Sequence, residues 1–141
     1  LQTSDNRFDR EHLAEEVEDL GKSERNAVRS QVRRILLHFL KLAYSPATDP
    51  RRDWMDSIDE ARTEIADKMT ASLRRDIDEI MPQLYASIRK RAARDLERYN
   101  EPNAAGVIPS QSPYTLDQIL AEDWYPAPDK PMNVPTESPR D

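Results

Sequence analysis

The sequence predicts an all-α protein, a small helical bundle built around one long central helix. Between residues 10 and 44 the apolar side chains recur at intervals of three and four, which places them on one face of an α-helix. The segments 54–69 and 73–96 repeat this spacing. The last segment is rich in proline and has no apolar period, so it adds no core element. We therefore expect a long helix, an antiparallel second helix, a proline-kinked third helix, a short C-terminal helix and an extended tail.

The first helix is predicted to span residues 11–43, which makes it about 50 Å long by the α-helical rise. Its first half is acidic and its second half is basic. The helix dipole favours this arrangement, because it places partial positive charge at the N-terminus and partial negative charge at the C-terminus. Gly21 interrupts the middle, but the apolar phase continues across it, which favours a continuous or gently kinked helix. The apolar face contains Leu13, Val17, Leu20, Val28, Val32, Ile35, Phe39 and Leu42.

Proline and capping residues mark the other boundaries. Pro46 ends the first helix because the residue before a proline disfavours the α conformation. Pro82 inside the third apolar segment predicts either a kink or two abutting helices. Residues 100–111 are predicted to form a loop. Thr115 and Gln118 are spaced as a capping box ahead of a short helix over residues 116–122.

The composition limits the domain organisation and the class of protein. A chain of 141 residues with 37% hydrophobic side chains favours one domain. We predict an N-terminal arm over residues 1–9, a helical bundle over 10–125 and a Pro-rich tail over 126–141. A net charge of -6 argues against a nucleic-acid binder, and the absence of a long apolar run argues against a membrane protein. With no signal-peptide pattern, a cytoplasmic location is the default expectation.

Two absences narrow the chemistry further. The chain contains no cysteine, which excludes disulfides and thiolate metal ligands. It contains two glycines, too few for a glycine-rich phosphate loop. No cofactor is predicted, and catalysis is less expected than binding.

Four stretches resemble a known family. They are EHLAEEVEDLGKSE, LLHFLKLAYSP, WMDSIDEARTEI and SPYTLDQILAEDWYP. Over residues 8–126 the chain resembles the bacterial "domain of unknown function twenty-nine" family. The resemblance implies a small helical bacterial protein and supplies no activity.

Glu24 is the unusual residue of the first helix, because it falls on the predicted apolar face. A carboxylate facing a core is costly unless it is paired. We expect a structural buried acid that pairs with an arginine of a neighbouring helix, of which Arg62 and Arg89 are candidates. The alternative is a general base with a raised pKa.

Two further groups of side chains are candidate binding sites. His12 and Glu16 lie one helical turn apart and could bind a metal ion together with His38 or Glu24. The basic residues of the first and third helices could contact phosphate groups, although acidic helices of the same chain compete for them. The candidate phosphate contacts are Arg25, Arg29, Arg33, Arg91 and Arg94.

The sequence favours a non-catalytic helical protein-interaction module that forms homo-oligomers, in particular dimers, or binds another protein. The first alternative is a metal-binding protein or enzyme that depends on carboxylate and histidine side chains. The second is a nucleic-acid-binding accessory protein. The enzyme requires His12, Glu16, Glu24 and His38 to converge in one pocket, whereas an interaction module predicts that they are dispersed.

Overall fold

The computed structural model describes residues 2–98 and 101–128, without the side chains of residues 2–9, 11–12 and 16–20. Within this part the chain forms only helices, which confirms the all-α class. None of them is both long and apolar enough to cross a membrane. The helices are α1 (Gln2–Tyr44), α2 (Arg51–Lys68), α3 (Ala71–Arg98), α4 (Pro102–Gly106) and α5 (Leu116–Leu120).

Helix α2 packs on α1 and runs antiparallel to it, as predicted. The Arg34 guanidinium donates a 2.8 Å hydrogen bond to Glu60. One turn earlier on α1, the Gln31 amide donates to Glu64, one turn later on α2, at 3.0 Å. Residue numbers therefore fall along α1 as they rise along α2.

Helix α3 also packs on α1 and runs parallel to it. Near one end of the contact, Arg29 donates two hydrogen bonds to the Asp76 carboxylate, at 2.8 and 2.6 Å. Near the other end, the Nζ atom of Lys41 lies 3.2 Å from Oδ2 of Asp95. Because α2 and α3 meet mainly through α1, the first helix is the central element of the bundle, as the sequence predicts.

The core begins part-way along α1. Val28 is the first buried residue of this helix among those described, and burial then continues to Ala43. Leu36, Leu37 and Leu40 are buried as well, so the buried surface is wider than the predicted stripe. Packing on more than one side of the helix explains this width. The buried residues of α1 are Val28, Val32, Ile35, Leu36, Leu37, Phe39, Leu40, Leu42 and Ala43.

The N-terminal half of α1 differs from the prediction. The helix begins at Gln2, ahead of the expected start at residue 11, and thus includes the segment predicted to be an arm. It continues through Gly21, and a Cβ atom there would meet nothing within 4 Å. Leu13 is 59% exposed, so the expectation that it faces the core is wrong. The side chains of Val17 and Leu20 lie outside the described residues.

Three later elements refine the predicted boundaries. Pro82 lies inside a single helix, α3, so the alternative of two abutting helices is wrong. The predicted loop 100–111 contains the short helix α4, which starts at a proline and buries Ala104 and Ala105. The capping box is confirmed, since Thr115 Oγ1 accepts from the Gln118 amide at 3.1 Å and Gln118 Oε1 accepts from the Thr115 amide at 3.0 Å.

The segment after α4 covers the core through aromatic side chains. Tyr114 and Trp124 both pack edge-on against Phe39 of α1, with ring centroids 5.0 and 5.3 Å away. The Tyr114 and Trp124 rings are themselves 6.1 Å apart. Edge-to-face contacts of this kind are favourable beyond the area they bury. The segment up to Trp124 is thus packed on the core, so the expectation that the last segment, residues 124–141, adds nothing to the core is wrong at Trp124. The predicted tail beyond residue 128 lies outside the described residues.

Arg62 of α2 fixes this segment in place. Its side chain is buried, at 6% exposure, and its guanidinium donates to four backbone carbonyl groups at and beyond the end of α5. The acceptors are Ile119 at 2.9 Å, Gln118 at 3.0 Å, Glu122 at 3.3 Å and Trp124 at 2.7 Å. The guanidinium also lies 5.6 Å from the Phe39 ring centroid and 5.3 Å from that of Tyr125. These rings and carbonyls compensate for the burial of a positive charge.

Residues of α3 hold the chain between α4 and α5 in the same way, through the carbonyl groups of Ile108 and Pro109. Tyr85 donates its hydroxyl proton to the Pro109 carbonyl at 2.7 Å, and Arg89 donates to Pro109 at 2.8 Å and to Ile108 at 3.0 Å. Burial raises the pKa of the Tyr85 hydroxyl to about 12, so it stays protonated and remains a donor. Both neighbours of α1 therefore bind the C-terminal segment through its backbone.

We predict that Arg62→Met destabilises the protein by about 3 kcal/mol or more, because it leaves several carbonyl groups without donors in a buried site. Urea denaturation measures the loss. Trp124 fluorescence, followed in a Trp54→Phe background, is expected to report an earlier release of the C-terminal segment. Arg34→Met is the matched control, since the ion pair of Arg34 is with the exposed carboxylate of Glu60, and it should cost far less. Equal losses in the two variants would contradict the assigned role of Arg62.

Candidate functional site

Glu24 lies at the end of the bundle, where the connection between α2 and α3 passes α1. Its side chain is 43% exposed, so the predicted buried acid is only half-buried. Its nearest cation is Lys68, with Nζ 3.9 Å from Oε1. Arg62 and Arg89 bind backbone carbonyls elsewhere, so neither predicted partner is correct. Oε1 is shielded from solvent and accepts no hydrogen bond from the described residues.

Of the predicted metal ligands, Glu24 and His38, whose side chains are described, do not come together within one chain. Because α1 is continuous, His12 and His38 are separated by about 39 Å along the helix axis, and Glu24 and His38 by about 21 Å. Glu24 and His38 also line different cavities. The side chains of His12 and Glu16 are outside the described residues. Among the side chains that are described, no three histidine or acidic groups are placed to hold a metal ion.

Three of the predicted phosphate contacts, Arg25, Arg29 and Arg94, lie in different surroundings. Arg29, a predicted phosphate contact, is committed to Asp76, and its hydrogen bonds hold the pKa of that carboxyl below its usual value. Arg25 lines a cavity at the α2–α3 connection that also contains carboxylates, among them Asp76. Arg94 is exposed on α3. Acidic side chains therefore compete for Arg29 and surround Arg25, as the sequence predicts for part of this set.

Arg33 and Arg91 meet at a second cavity, between α1 and α3, which we call the basic cavity. It has a volume of about 400 Å³. Ser30 and Gln31 contribute neutral polar groups, and no carboxylate lines it. The remaining lining residues are Arg33, Arg34, Leu37, His38, Ile88 and Arg91. The structure thus joins two predicted phosphate contacts with one predicted metal ligand, a combination that sequence spacing could not reveal because Arg91 lies on another helix.

His38 is held in one orientation at this cavity. Its Nδ1 lies 2.8 Å from the Arg34 carbonyl oxygen, so in the neutral ring Nδ1 carries the proton and donates it. Burial lowers the pKa of His38 below its ordinary value, and the positive charges of Lys41, Arg34 and Arg91 lower it further, against the opposing effect of the backbone hydrogen bond. A histidine surrounded by cations does not suit a metal site, because the arginines repel the ion.

Comparison with known proteins identifies a family for the chain. The sequence profile of the family described as "Domain of unknown function DUF29" matches residues 2–125. The chain belongs to this family. The match extends from the first helical residue of α1 to the aromatic residues that follow α5, so it includes the Arg62 contacts. No curated protein and no solved structure matches the chain.

Because the DUF29 description assigns no activity, function has to be argued from geometry. Sequence reasoning named Arg62 only as a candidate partner of Glu24 and missed its bonds to backbone carbonyls, although one signal was available. Arg62 lies four residues after Ile58 and three before Ile65, within the apolar stripe of α2. A charged residue in such a position requires a buried partner.

We predict that His38 makes the protein less stable in mild acid. The pKa of His38 is lowered in the folded state, so the unfolded chain binds the proton more readily, and stability is lost as pH falls through the ordinary histidine pKa of about 6.5. The loss is expected to stay under about 1.4 kcal/mol per pH unit, the limit for one proton. Urea denaturation at several pH values between neutral and mildly acidic measures it.

His38→Gln should show a smaller loss over this range than the wild type. His12→Gln is the control, because it removes the other histidine of the chain and leaves the basic cavity intact. If His12→Gln flattens the pH dependence and His38→Gln does not, the assignment to His38 is wrong.

Proposed function

We propose that this chain is a non-catalytic helical interaction module that forms a homodimer through the N-terminal half of α1. One observation carries the proposal. Helix α1 begins at Gln2, yet the first core residue that it contributes among the described side chains is Val28. In the intervening half, Leu13 is 59% exposed. An isolated helical segment is marginal in water, so this half gains stability if another helix packs on it.

The α2–α3 connection shows where the bundle stops. Lys68, the last residue of α2, lies beside Glu24, and Thr70 caps the start of α3 by accepting a 3.1 Å hydrogen bond from the Leu73 amide. The helical backbone of residues 2–20 therefore continues for about 28 Å beyond that connection. In the sequence Leu13, Val17 and Leu20 follow one another at intervals of four and three, the spacing that forms the seam between paired helices.

Charge favours a second copy of the chain as the partner, in antiparallel orientation. Residues 1–21 contain seven acidic and two basic side chains, whereas residues 22–52 contain two acidic and eight basic ones. Parallel pairing of two α1 helices would place like charges side by side, and antiparallel pairing places opposite charges together. A pairing centred on Val17 sets Asp9 level with Arg25 of the second copy, and Arg10 level with Glu24 of the second copy. The unsatisfied Oε1 of Glu24 supports a further donor at that position.

The dispersal of Glu24 and His38 over separate cavities supports an interaction module over the metal-dependent enzyme, which needs them together. The ion pair of Arg29 with Asp76 and the carboxylates that line the cavity at Arg25 likewise weigh against a nucleic-acid-binding face. Our proposal includes no cofactor, and it takes the bacterial cytoplasm as the location. Fractionation of cells that express the tagged chain tests the location.

We predict that the wild-type chain has twice its chain mass of 16.3 kDa in light scattering, and that Leu13→Glu converts it to the monomer. A carboxylate in the apolar seam of two helices is unfavourable because it loses its hydration. Thermal unfolding of the Leu13→Glu monomer should remain cooperative, since the substitution lies outside the core. A wild-type chain that is monomeric at micromolar concentration would disprove the dimer.

Val107→Glu is the matched control for Leu13→Glu. Val107 is also a large hydrophobic residue, 43% exposed, and it lies after α4, away from α1's N-terminal half. We expect this variant to keep the dimer mass. Dissociation by both variants would show that any added negative charge prevents association, and would contradict a specific seam at Leu13.

A charge exchange tests the antiparallel orientation. Arg10→Glu and Glu24→Arg each place like charges together twice in the dimer, and each is expected to raise the dissociation constant roughly fivefold or more. The double variant Arg10→Glu/Glu24→Arg restores opposite charges and is expected to return to within about twofold of the wild type. Sedimentation measures the three constants. Additive weakening in the double variant would exclude this pairing.

A further inference from the structure

We propose that the basic cavity binds an oxyanion, specifically the phosphate group of a small phosphorylated molecule. This site lies in the helical bundle itself, between α1 and α3, and is separate from the proposed dimer seam. Two guanidinium groups, those of Arg33 and Arg91, reach it from different helices. Guanidinium groups match the geometry of phosphate oxygens and bind them through paired, charge-assisted hydrogen bonds.

The three arginines that line the cavity differ in whether they already bond other side chains of the chain. Arg34 is occupied, because it donates to Ser57 at 2.8 Å, to Gln31 at 3.3 Å and to Glu60 at 2.8 Å. Arg33 and Arg91, by contrast, have no hydrogen bond or ion pair with any described residue. Unlike the cavity near Glu24, this one has no acidic lining residue that would compete with a bound anion.

His38 adds a donor that responds to the ligand. Because Nδ1 is engaged with the Arg34 carbonyl, Nε2 is the atom that gains a proton when the ring becomes charged. The charged groups around the ring are Arg34 and Lys41 of α1 and Arg91 of α3, while Glu60 of α2 and Asp95 of α3 neutralise Arg34 and Lys41 in part. A bound phosphate adds negative charge among these cations and so favours the imidazolium. Binding of the phosphate is therefore expected to raise the pKa of His38.

The size and walls of the cavity suggest the class of ligand. A volume of about 400 Å³ exceeds that of an inorganic phosphate, so a substituent on the phosphate fits. Leu37 and Ile88 provide apolar surface beside the charged groups. A phosphate monoester with a small apolar or ring-shaped substituent fits both parts of the cavity, because its phosphate can bind the arginines while its substituent contacts the apolar side chains. Ser30 offers a neutral hydroxyl donor at the same cavity, whereas the Gln31 amide is already bonded to Glu64 and Arg34.

The chain has two histidines, which makes proton NMR of the imidazole ring a direct test. The two signals are assigned with His12→Gln, and His38 is titrated in inorganic phosphate, in phenyl phosphate and in chloride at equal ionic strength. We expect both phosphates to raise the pKa of His38 in a saturable way, with phenyl phosphate binding severalfold more tightly. The His12 signal serves as an internal reference and should not change. Identical His38 titrations in phosphate and chloride would overturn the proposal.

Variants identify the residues involved. Arg33→Gln and Arg91→Gln should each weaken phenyl phosphate binding at least about tenfold. Arg94→Gln removes an exposed arginine from the same helix as Arg91 and should leave binding unchanged. The series is repeated in Leu13→Glu, so that a failure of the dimer proposal does not affect the outcome. If single-stranded RNA shifts the His38 signal and phenyl phosphate does not, the small-molecule site is wrong and the nucleic-acid alternative gains support.

Discussion

The fold depends on one buried arginine and the carbonyl groups that surround it. Helix α5 has five residues and cannot be stable alone, yet it and the residues after it complete the core. Their carbonyl groups become buried without helical partners, and each would otherwise carry a desolvation cost. Arg62 supplies the missing donors from α2. Without this contact, the surface of Phe39 that Tyr114 and Trp124 cover would face water.

Arg62 belongs to a wider pattern in which arginines bind backbone carbonyls. Arg51 donates to the Leu42 carbonyl near the end of α1, at 2.8 Å, and Arg89 donates to carbonyls that follow α4. Helix ends are commonly completed by glycine in a left-handed conformation, but this chain has only two glycines. Arginine side chains perform that role here from neighbouring helices. Three arginines of this chain, Arg51, Arg62 and Arg89, thus have structural roles, whereas Arg33 and Arg91 at the basic cavity bond no described residue.

Sequence periodicity predicted the three long helices, and local chemistry predicted the capping box at Thr115. These features are determined by residues close together in the chain. The environment of Glu24 was not predictable in this way. Periodicity shows which side of α1 Glu24 occupies, but the extent of burial depends on where α2 ends and α3 begins. Likewise, Arg33 and Arg91 line one cavity because of how α1 and α3 align. The contacts of Arg29 with Asp76 and of Lys41 with Asp95 establish this parallel alignment.

Helix length is the constraint that connects the fold to the proposed function. Helix α2 has 18 residues and α1 has 43, so α2 can cover less than half of α1. Helix α3 starts immediately after α2, at the level of Glu24, and runs in the same direction as α1, so it cannot reach the N-terminal half either. The exposure of Leu13 therefore results from the lengths of the helices and the position of their connection, and no rearrangement of side chains within the bundle would cover it. No other helix of the described part of the chain reaches that half, and the acidic and basic halves of α1 make a second α1 helix a complementary partner.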